Sequence, residues 1–244
     1  MKASDLRGVL TYIPSFRDKL FVLSVDSAVL EDERAASLFL DISVLRSLNI
    51  RVALVHGASA RVNLLVTAGG AVTDSGNLVI GGTTTVTATG FNVTLDQAGN
   101  DFTGPVGVTG ANVTLVDANG INLGASTVTG NYSVTATAGD ITNSGALVVT
   151  GNSTFTADAA GANIILGNAG NNFAGTVTFA GAGGLNDVTI TDLSALDLGG
   201  LTLTGNLLVT AGGAVTDSGN LVIGGTTTVT ATGSNLFIAA CEFL

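Results

Sequence analysis

Basic side chains run out early in this chain. All eight lysines and arginines lie at or before Arg61, and residues 62–244 carry none, against eleven acidic residues. A stretch of that length without a cation cannot neutralise phosphates by ion pairing. This argues against nucleic acid as a partner and against an anionic membrane surface. Cysteine is nearly as scarce: Cys241 stands alone, so no intrachain disulfide forms. There is no tryptophan, and His56 is the single histidine. A Ser-His-Asp or zinc set would have to gather distant partners around that one ring. No apolar run approaches the length of a membrane span. Charges at Lys2, Asp5, Arg7, Arg17, Asp18, Lys19 and Asp26 interrupt any apolar region of a secretory signal.

Glycine shows the opposite split. Of 34 glycines, only Gly8 and Gly57 precede residue 62. Two composition regimes meet there, and three segments are expected: 1–61, a repetitive 62–233, and an irregular tail, 234–244. The net charge of −10 keeps a β-rich surface soluble.

Residues 4–13 read as a short helix, capped by Ser4 and ended by Pro14. Phe21 to Val25 is a compact apolar strand. From Glu31 to Leu48 the period becomes helical, with Ala35, Leu38, Ile42, Leu45 and Leu48 on one stripe. Val52 to Val55 is a second strand, ending in His56-Gly57. Strand, helix, strand and glycine turn make one βαβ unit with a parallel sheet. The strings DLRGVLTYIPSFRDKLFVLSVD and LDISVLRSLNIRVALVHGAS resemble the start of the amino-acid kinase domain of bacterial N-acetylglutamate synthase. The resemblance implies a substrate-binding loop at His56, Gly57 and Ala58 lining an acylglutamate pocket, in a cytoplasmic enzyme of arginine biosynthesis. It covers only the opening of that domain, so the segment reads as truncated. Ser27 stands where a glycine usually follows the first strand, and Ser24–Ser27 holds no phosphate-handling lysine.

The repeats dominate the rest. NLLVTAGGAVTDSGNLVIGGTTTVTATG occupies 63–90 and recurs letter for letter at 206–233. Within the repetitive region the apolar period is two, in short runs separated by Gly, Asn and Asp. A spacing of about 20 residues lies above that: Val93/Leu95 recurs at Val113/Leu115 and at Tyr132/Val134, and Phe102 is followed by Ile121 and Ile141. A larger unit aligns Asn63–Gly130 with Asn131–Gly205, so that AGNDFTGPV at 98–106 answers to AGNNFAGTV at 169–177. These nested periods predict a mostly β chain, a parallel β-helix of roughly nine coils and about 45 Å. An antiparallel sandwich is the competing architecture. The two NxF strings within Gly/Thr/Val-rich coils resemble the repeats of filamentous-haemagglutinin-like adhesins. That resemblance implies a right-handed β-helix, cell-surface or secreted, meeting protein or glycan on a host or neighbouring cell. Open sheet edges also suggest end-to-end or edge self-association.

No catalytic, cofactor or metal residue is expected from this region. The ten aspartates from Asp74 to Asp217 are spread singly and read as solvated turn residues. Asp117-Ala118-Asn119-Gly120 and Gly184-Leu185-Asn186-Asp187 offer oxygen ligands for calcium on turns, without the calcium-solenoid pattern. The N-x-[ST] strings at Asn92, Asn112, Asn131 and Asn152 read as chance. The run Thr83–Thr89 suggests a water-ordering hydroxyl array, but needs threonine on the same face of every coil, and 92–131 reads as lacking it. The expectation is thus a structural or adhesive fragment, with an inactive arginine-pathway enzyme fragment as the alternative. The step at 61/62 raises a third reading, a chimeric or truncated frame.

Overall fold

The structure, a computed structural model, describes residues 20–25, 40, 42–44, 51–56, 62–233, 236–237 and 241–243. The chain divides into two compact units, Met1–Arg61 and Val62–Leu244. In the first, Leu20–Val25 and Arg51–His56 pair in parallel, with Leu20 opposite Arg51 and Val25 opposite His56. Parallel neighbours need a crossover connection, and residues 40 and 42–44 within it are helical. The helix expected at 4–13 and the glycine turn after His56 lie outside the described residues.

The second unit is a parallel β-solenoid of about eight turns, where the sequence predicted roughly nine. Each turn contributes short strands that pair only with the turns before and after. One nine-stranded sheet runs from Val72–Thr73 to Leu236–Phe237. A 15-stranded sheet covers the remaining sides, with a small two-stranded sheet of Val79–Ile80 and Asp101–Phe102. Along the nine-stranded sheet the turn length varies from 19 residues (Val113 to Tyr132) to 24 (Ser153 to Val177). At about 4.8 Å per step, eight steps extend about 38 Å.

The expected columns appear in the nine-stranded sheet. Val93 lies beside Val113 and Val113 beside Tyr132, while Leu95, Leu115, Val134, Phe155 and Phe179 form the next inward column. Alternation does the sorting: Tyr132–Ala136 and Ser153–Ala157 each bury every second residue. Phe155 is the hub of the core, packing edge-on against Tyr132 (5.9 Å) and Phe173 (6.0 Å) and stacked on Phe179 (6.1 Å). Such ring pairs add stabilisation beyond the area they bury.

One expected column is corrected. Ile121 pairs with Ile141, but Phe102 pairs with Ile80 and not with Ile121. Above Phe102 the chain shortcuts the corner, with Ala118 N–H donating to Asn100 O at 2.7 Å and Gly124 N–H to Val106 O at 2.8 Å. Strand Val106–Gly110 then meets two strands at once: Val106 faces Leu123, and Thr109 faces Thr127. Three residue steps on one side oppose four on the other, a one-residue bulge. The Val108 N–H at that bulge donates to Ser126 Oγ (3.1 Å). This bulge merges two sides of the solenoid into a single sheet.

The two identical segments occupy opposite ends of the described stack. Leu64–Thr67 pairs with Thr84–Thr87, and Leu207–Ala211 with Thr227–Ala231, in the same register. Leu64 and Val66 are half-buried, whereas Leu207 and Val209 are buried, because the strand Leu185–Asp192 lies beneath the second copy. The tail also stacks by its backbone: Val215 faces Leu236, and Leu221 faces Cys241.

Candidate functional site

Among the described residues, no group of three or more His, Cys, Asp or Glu is placed to hold a metal ion. His56 ends its strand; Gly57 and Ala58 lie outside the described residues. Surface grooves with appreciable volume occur among the described residues. One of about 380 Å³ runs past Thr85, Pro105, Gly107, Ala125 and Ser144; another, of about 520 Å³, past Phe179, Leu185, Leu201 and Asn220. Neither brings a carboxylate, imidazole, amine or thiol to its walls. The informative polar chemistry lies in the corners and on one flat face.

The NxF strings are corner devices. Asn100 and Asn171 are fully buried. Asn100 Oδ1 accepts Leu78 N–H at 2.8 Å, and its amide donates to Asp74 Oδ2 at 2.7 Å. Asn171 Oδ1 accepts Leu147 N–H at 3.0 Å and the Asn143 amide at 2.7 Å, while its own amide donates to Leu166 O at 3.0 Å. Each asparagine thus reaches down one coil to satisfy a backbone donor that has left the ladder.

The phenylalanine two residues on is held from above. Phe102 N–H donates to Asp117 Oδ2 (2.9 Å), and Asn119 N–H donates to Asp117 Oδ1 (2.7 Å). In the next repeat Phe173 N–H donates to Asp192 Oδ2 (2.7 Å), and Ser194 N–H to Asp192 Oδ1 (2.6 Å). Asp117 and Asp192 are therefore buried caps, which corrects their reading as solvated turn residues. Burial pushes the Asp117 carboxyl above the usual range, opposed by the backbone donors of Phe102 and Asn119, with nearby Asp101 raising it further. With both oxygens engaged, Asp117 does not present a free carboxylate to a calcium ion. In the other candidate turn, Asp187 Oδ1 accepts Asn206 N–H at 2.6 Å.

Tyr132 is the large polar group inside the core, and burial drives its hydroxyl well above its ordinary range, eased by the Ser126 side chain. Its ring is fully enclosed, which suits a neutral packing residue and not an acid.

The N-x-[ST] strings have a structural cause. Asn92 Oδ1 accepts Asn112 N–H (3.2 Å), Asn112 Oδ1 accepts Asn131 N–H (3.0 Å), Asn131 Oδ1 accepts Asn152 N–H (3.0 Å), and Asn152 Oδ1 accepts Thr176 N–H (3.2 Å). The asparagine is a rung in a corner ladder, the next residue points into the core, and the one after points outward. The outward positions form an unbroken hydroxyl column: Thr73, Thr94, Thr114, Ser133, Thr154 and Thr178 are register neighbours on six successive turns. Thr135 and Thr156 lie beside it on the same face. Residues 92–131 thus do carry the array, on a different sheet from Thr85 and Thr87. The Thr83–Thr89 run supplies a shorter column of Thr67, Thr87, Thr109 and Thr127.

Comparison with known proteins agrees with the repeat length. Residues 45–109, 110–180 and 185–239 each match the family model described as "Repeats of unknown function (DUF5649)". Asp117 and Asp192 stand at the same distance from the start of their matches, and the first match crosses the 61/62 composition step. The chain is also similar to an acetylglutamate kinase of Pelobacter propionicus (strain DSM 2379 / NBRC 103807 / OttBd1), 38% identical over 63 residues, which are 25% of this chain and 22% of the kinase. The chain thus spans about a fifth of that curated relative's length. No solved structure matches.

Proposed function

From the premise that this chain belongs to the family of DUF5649 repeats, we propose that it is a non-catalytic structural and adhesive shaft of a bacterial surface protein. Its flat hydroxyl face makes weak, repeated contacts with protein or glycan on a host or neighbouring cell. The observation that carries this reading is the six-turn column from Thr73 to Thr178. Each hydroxyl is both donor and acceptor, the rows repeat at about 4.8 Å, and no basic residue interrupts the unit. A single contact of this kind is weak, and many displayed together gain by avidity. The described corners use their carboxylates and amides to hold the coils together, which fits a shaft better than an enzyme.

The test is bead adhesion. Beads displaying the full chain are counted on washed cells, beside beads displaying a Thr94→Lys, Thr114→Lys, Thr154→Lys variant. The expected result is at least a tenfold loss of bound variant beads with an unchanged β-type circular dichroism spectrum. Equal binding by both, or none by the unaltered chain, overturns the reading.

The similarity to an acetylglutamate kinase supports a second reading, that the chain handles acetylglutamate as an enzyme fragment, probed by incubating it with ATP and N-acetylglutamate. The expected outcome is no phosphorylated product, and its formation would establish this alternative. A join of two reading frames at 61/62 is a reading of the gene, tested by one long sequencing read across codons 55–70.

A further inference from the structure

We propose that Asn119-Gly120 is a self-modification site: the backbone nitrogen of Gly120 displaces the Asn119 side-chain amide, and the resulting aspartate or isoaspartate loosens the corner that Asp117 caps. Asparagine is followed by glycine at this one place in the chain. Glycine matters because it has no Cβ to obstruct a close approach of its own backbone to a neighbouring group. The pair sits in the turn between strands Val113–Asp117 and Ile121–Leu123, and Asn119 is exposed.

The reacting atoms are free. Asn119 is held by its backbone, donating its N–H to Asp117 Oδ1 (2.7 Å) and accepting Ala138 N–H (3.4 Å), but its side-chain amide makes no hydrogen bond among the described residues. Gly120 N–H makes none there either, although the N–H groups on both sides of it, those of Asn119 and Ile121, are engaged. The coil above leaves the Gly120 nitrogen uncovered because residue 139 is also glycine: a Cβ at Gly139 would lie 2.7 Å from it. Asparagines that precede serine or alanine are held instead. The Asn143 amide donates to Gly145 O (2.9 Å) and Asn171 Oδ1 (2.7 Å). Asn152 Oδ1 accepts Thr176 N–H (3.2 Å), and its neighbour Ser153 lies within a strand. The Asn168 side chain donates to Ser144 O (3.3 Å) and accepts Gly170 N–H (2.9 Å).

The chemistry closes with water alone. Gly120 N bonds to Asn119 Cγ, the Cγ–Nδ2 bond breaks, and the side-chain nitrogen leaves as ammonia with the proton that Gly120 N gave up. The product is a cyclic imide. Water then adds to one of its two carbonyls and breaks that carbonyl's bond to Gly120 N. Opening at Cγ gives aspartate. Opening at the α-carbonyl gives isoaspartate, whose main chain runs through Cβ and Cγ and is longer by one methylene. Either product adds a negative charge two residues from Asp117, which is buried. The longer path also draws Asn119 N–H away from Asp117 Oδ1 and Ile121 N–H away from Asp140 O (3.0 Å).

The test ages the full chain in heavy-oxygen water at mildly alkaline pH, folded or unfolded in urea, and locates the heavy oxygen in peptic peptides cut in acid. In the folded chain, label at residue 119 should accumulate at least tenfold faster than at Asn143, Asn152 or Asn168, and within threefold of its rate in urea. It should divide between two products of equal mass that separate on a column. In the converted fraction, amide hydrogen exchange over 100–103 and 117–121 should rise at least fivefold, while Asn119→Gln, aged alike, should gain no label at 119 and keep the exchange of fresh protein. If the folded chain labels residue 119 tenfold more slowly than the unfolded chain, the turn holds Gly120 N away from Asn119 Cγ and the site is overturned. Label without faster exchange at Phe102 N–H overturns the loosening of the corner. Neither result bears on the hydroxyl face, whose test is adhesion.

Discussion

The carboxylate of Asp117 spans one turn of the solenoid to accept the backbone N–H of Phe102 at 2.9 Å. It does the work of a strand at a corner where no strand passes. Truncation leaves two buried donors, Phe102 N–H and Asn119 N–H, without their acceptor. Asp117→Ala should therefore cost about 2–3 kcal/mol, as expected when a buried backbone group loses a charged partner. Asp192→Ala should cost a similar amount through Phe173 and Ser194. Urea unfolding followed by circular dichroism checks both, and a loss under about 0.5 kcal/mol at either site contradicts the capping role.

Phe155 touches three other rings and is fully enclosed. Phe155→Ala opens a cavity in the middle of the stack and should lose about 3–5 kcal/mol, while Phe155→Leu should lose roughly half of that or less. Stability in a solenoid is a sum of turns and nearest-neighbour interfaces. Hydrogen exchange should therefore rise first in 132–136 and 153–157 and least in 207–211. Uniform acceleration along the whole unit would argue for a single cooperative block.

Much of this fold was legible in the sequence because a solenoid writes its geometry as a period. The pairing of Val93 with Val113 and then Tyr132 follows from the spacing of about 20 residues and the in/out alternation. The misplacement of Ile121 above Phe102 has a physical cause. The turn shortens to 17 residues from Val106 to Leu123, where Asp117 replaces a strand, and a fixed period of about 20 cannot register a shortcut made by a side chain. The burial of Asp117 and Asp192 was hidden for the same reason, since an isolated aspartate beside a glycine looks the same whether it caps a buried corner or faces water. The signal was weak: an aspartate follows each Asn-x-Phe string, but 15 residues after Phe102 and 19 after Phe173, so aligning the two strings does not bring the aspartates together. The hydroxyl column was written in the strings Asn92-Val93-Thr94, Asn112-Val113-Thr114, Asn131-Tyr132-Ser133 and Asn152-Ser153-Thr154. Read as isolated modification motifs they look accidental; read at the coil period they are one rung repeated.

The identical segments separate local sequence from stacking. Gly70 and Gly213 have the same neighbours in sequence. A Cβ at Gly70 meets nothing within 4 Å among the described residues, while one at Gly213 meets Ala195 N at 2.8 Å and Ala195 Cα at 3.0 Å. Gly213→Ala should destabilise by about 1–3 kcal/mol through that backbone clash, whereas Gly70→Ala should be neutral to within about 0.5 kcal/mol. Thermal melts of the two single variants provide the comparison. Equal effects would place the cause in the shared local sequence and not in the turn beneath.

The raised carboxyl of Asp117 also fixes the sign of a pH dependence. Its unfolded reference is 3.8, and its folded value lies higher because burial disfavours the charged form. Between those two values the folded state holds the proton more often than the unfolded state, so this group's contribution to stability falls as pH rises through that window. Asp117→Asn removes the titration. It keeps one acceptor oxygen and sets an amide against the second backbone donor, so the variant is less stable overall. Unfolding free energies measured from pH 4 to pH 7 should then show the gap between natural chain and variant narrowing as pH rises. A gap that widens instead would mean that the two backbone donors, and not burial, set the proton affinity of this corner.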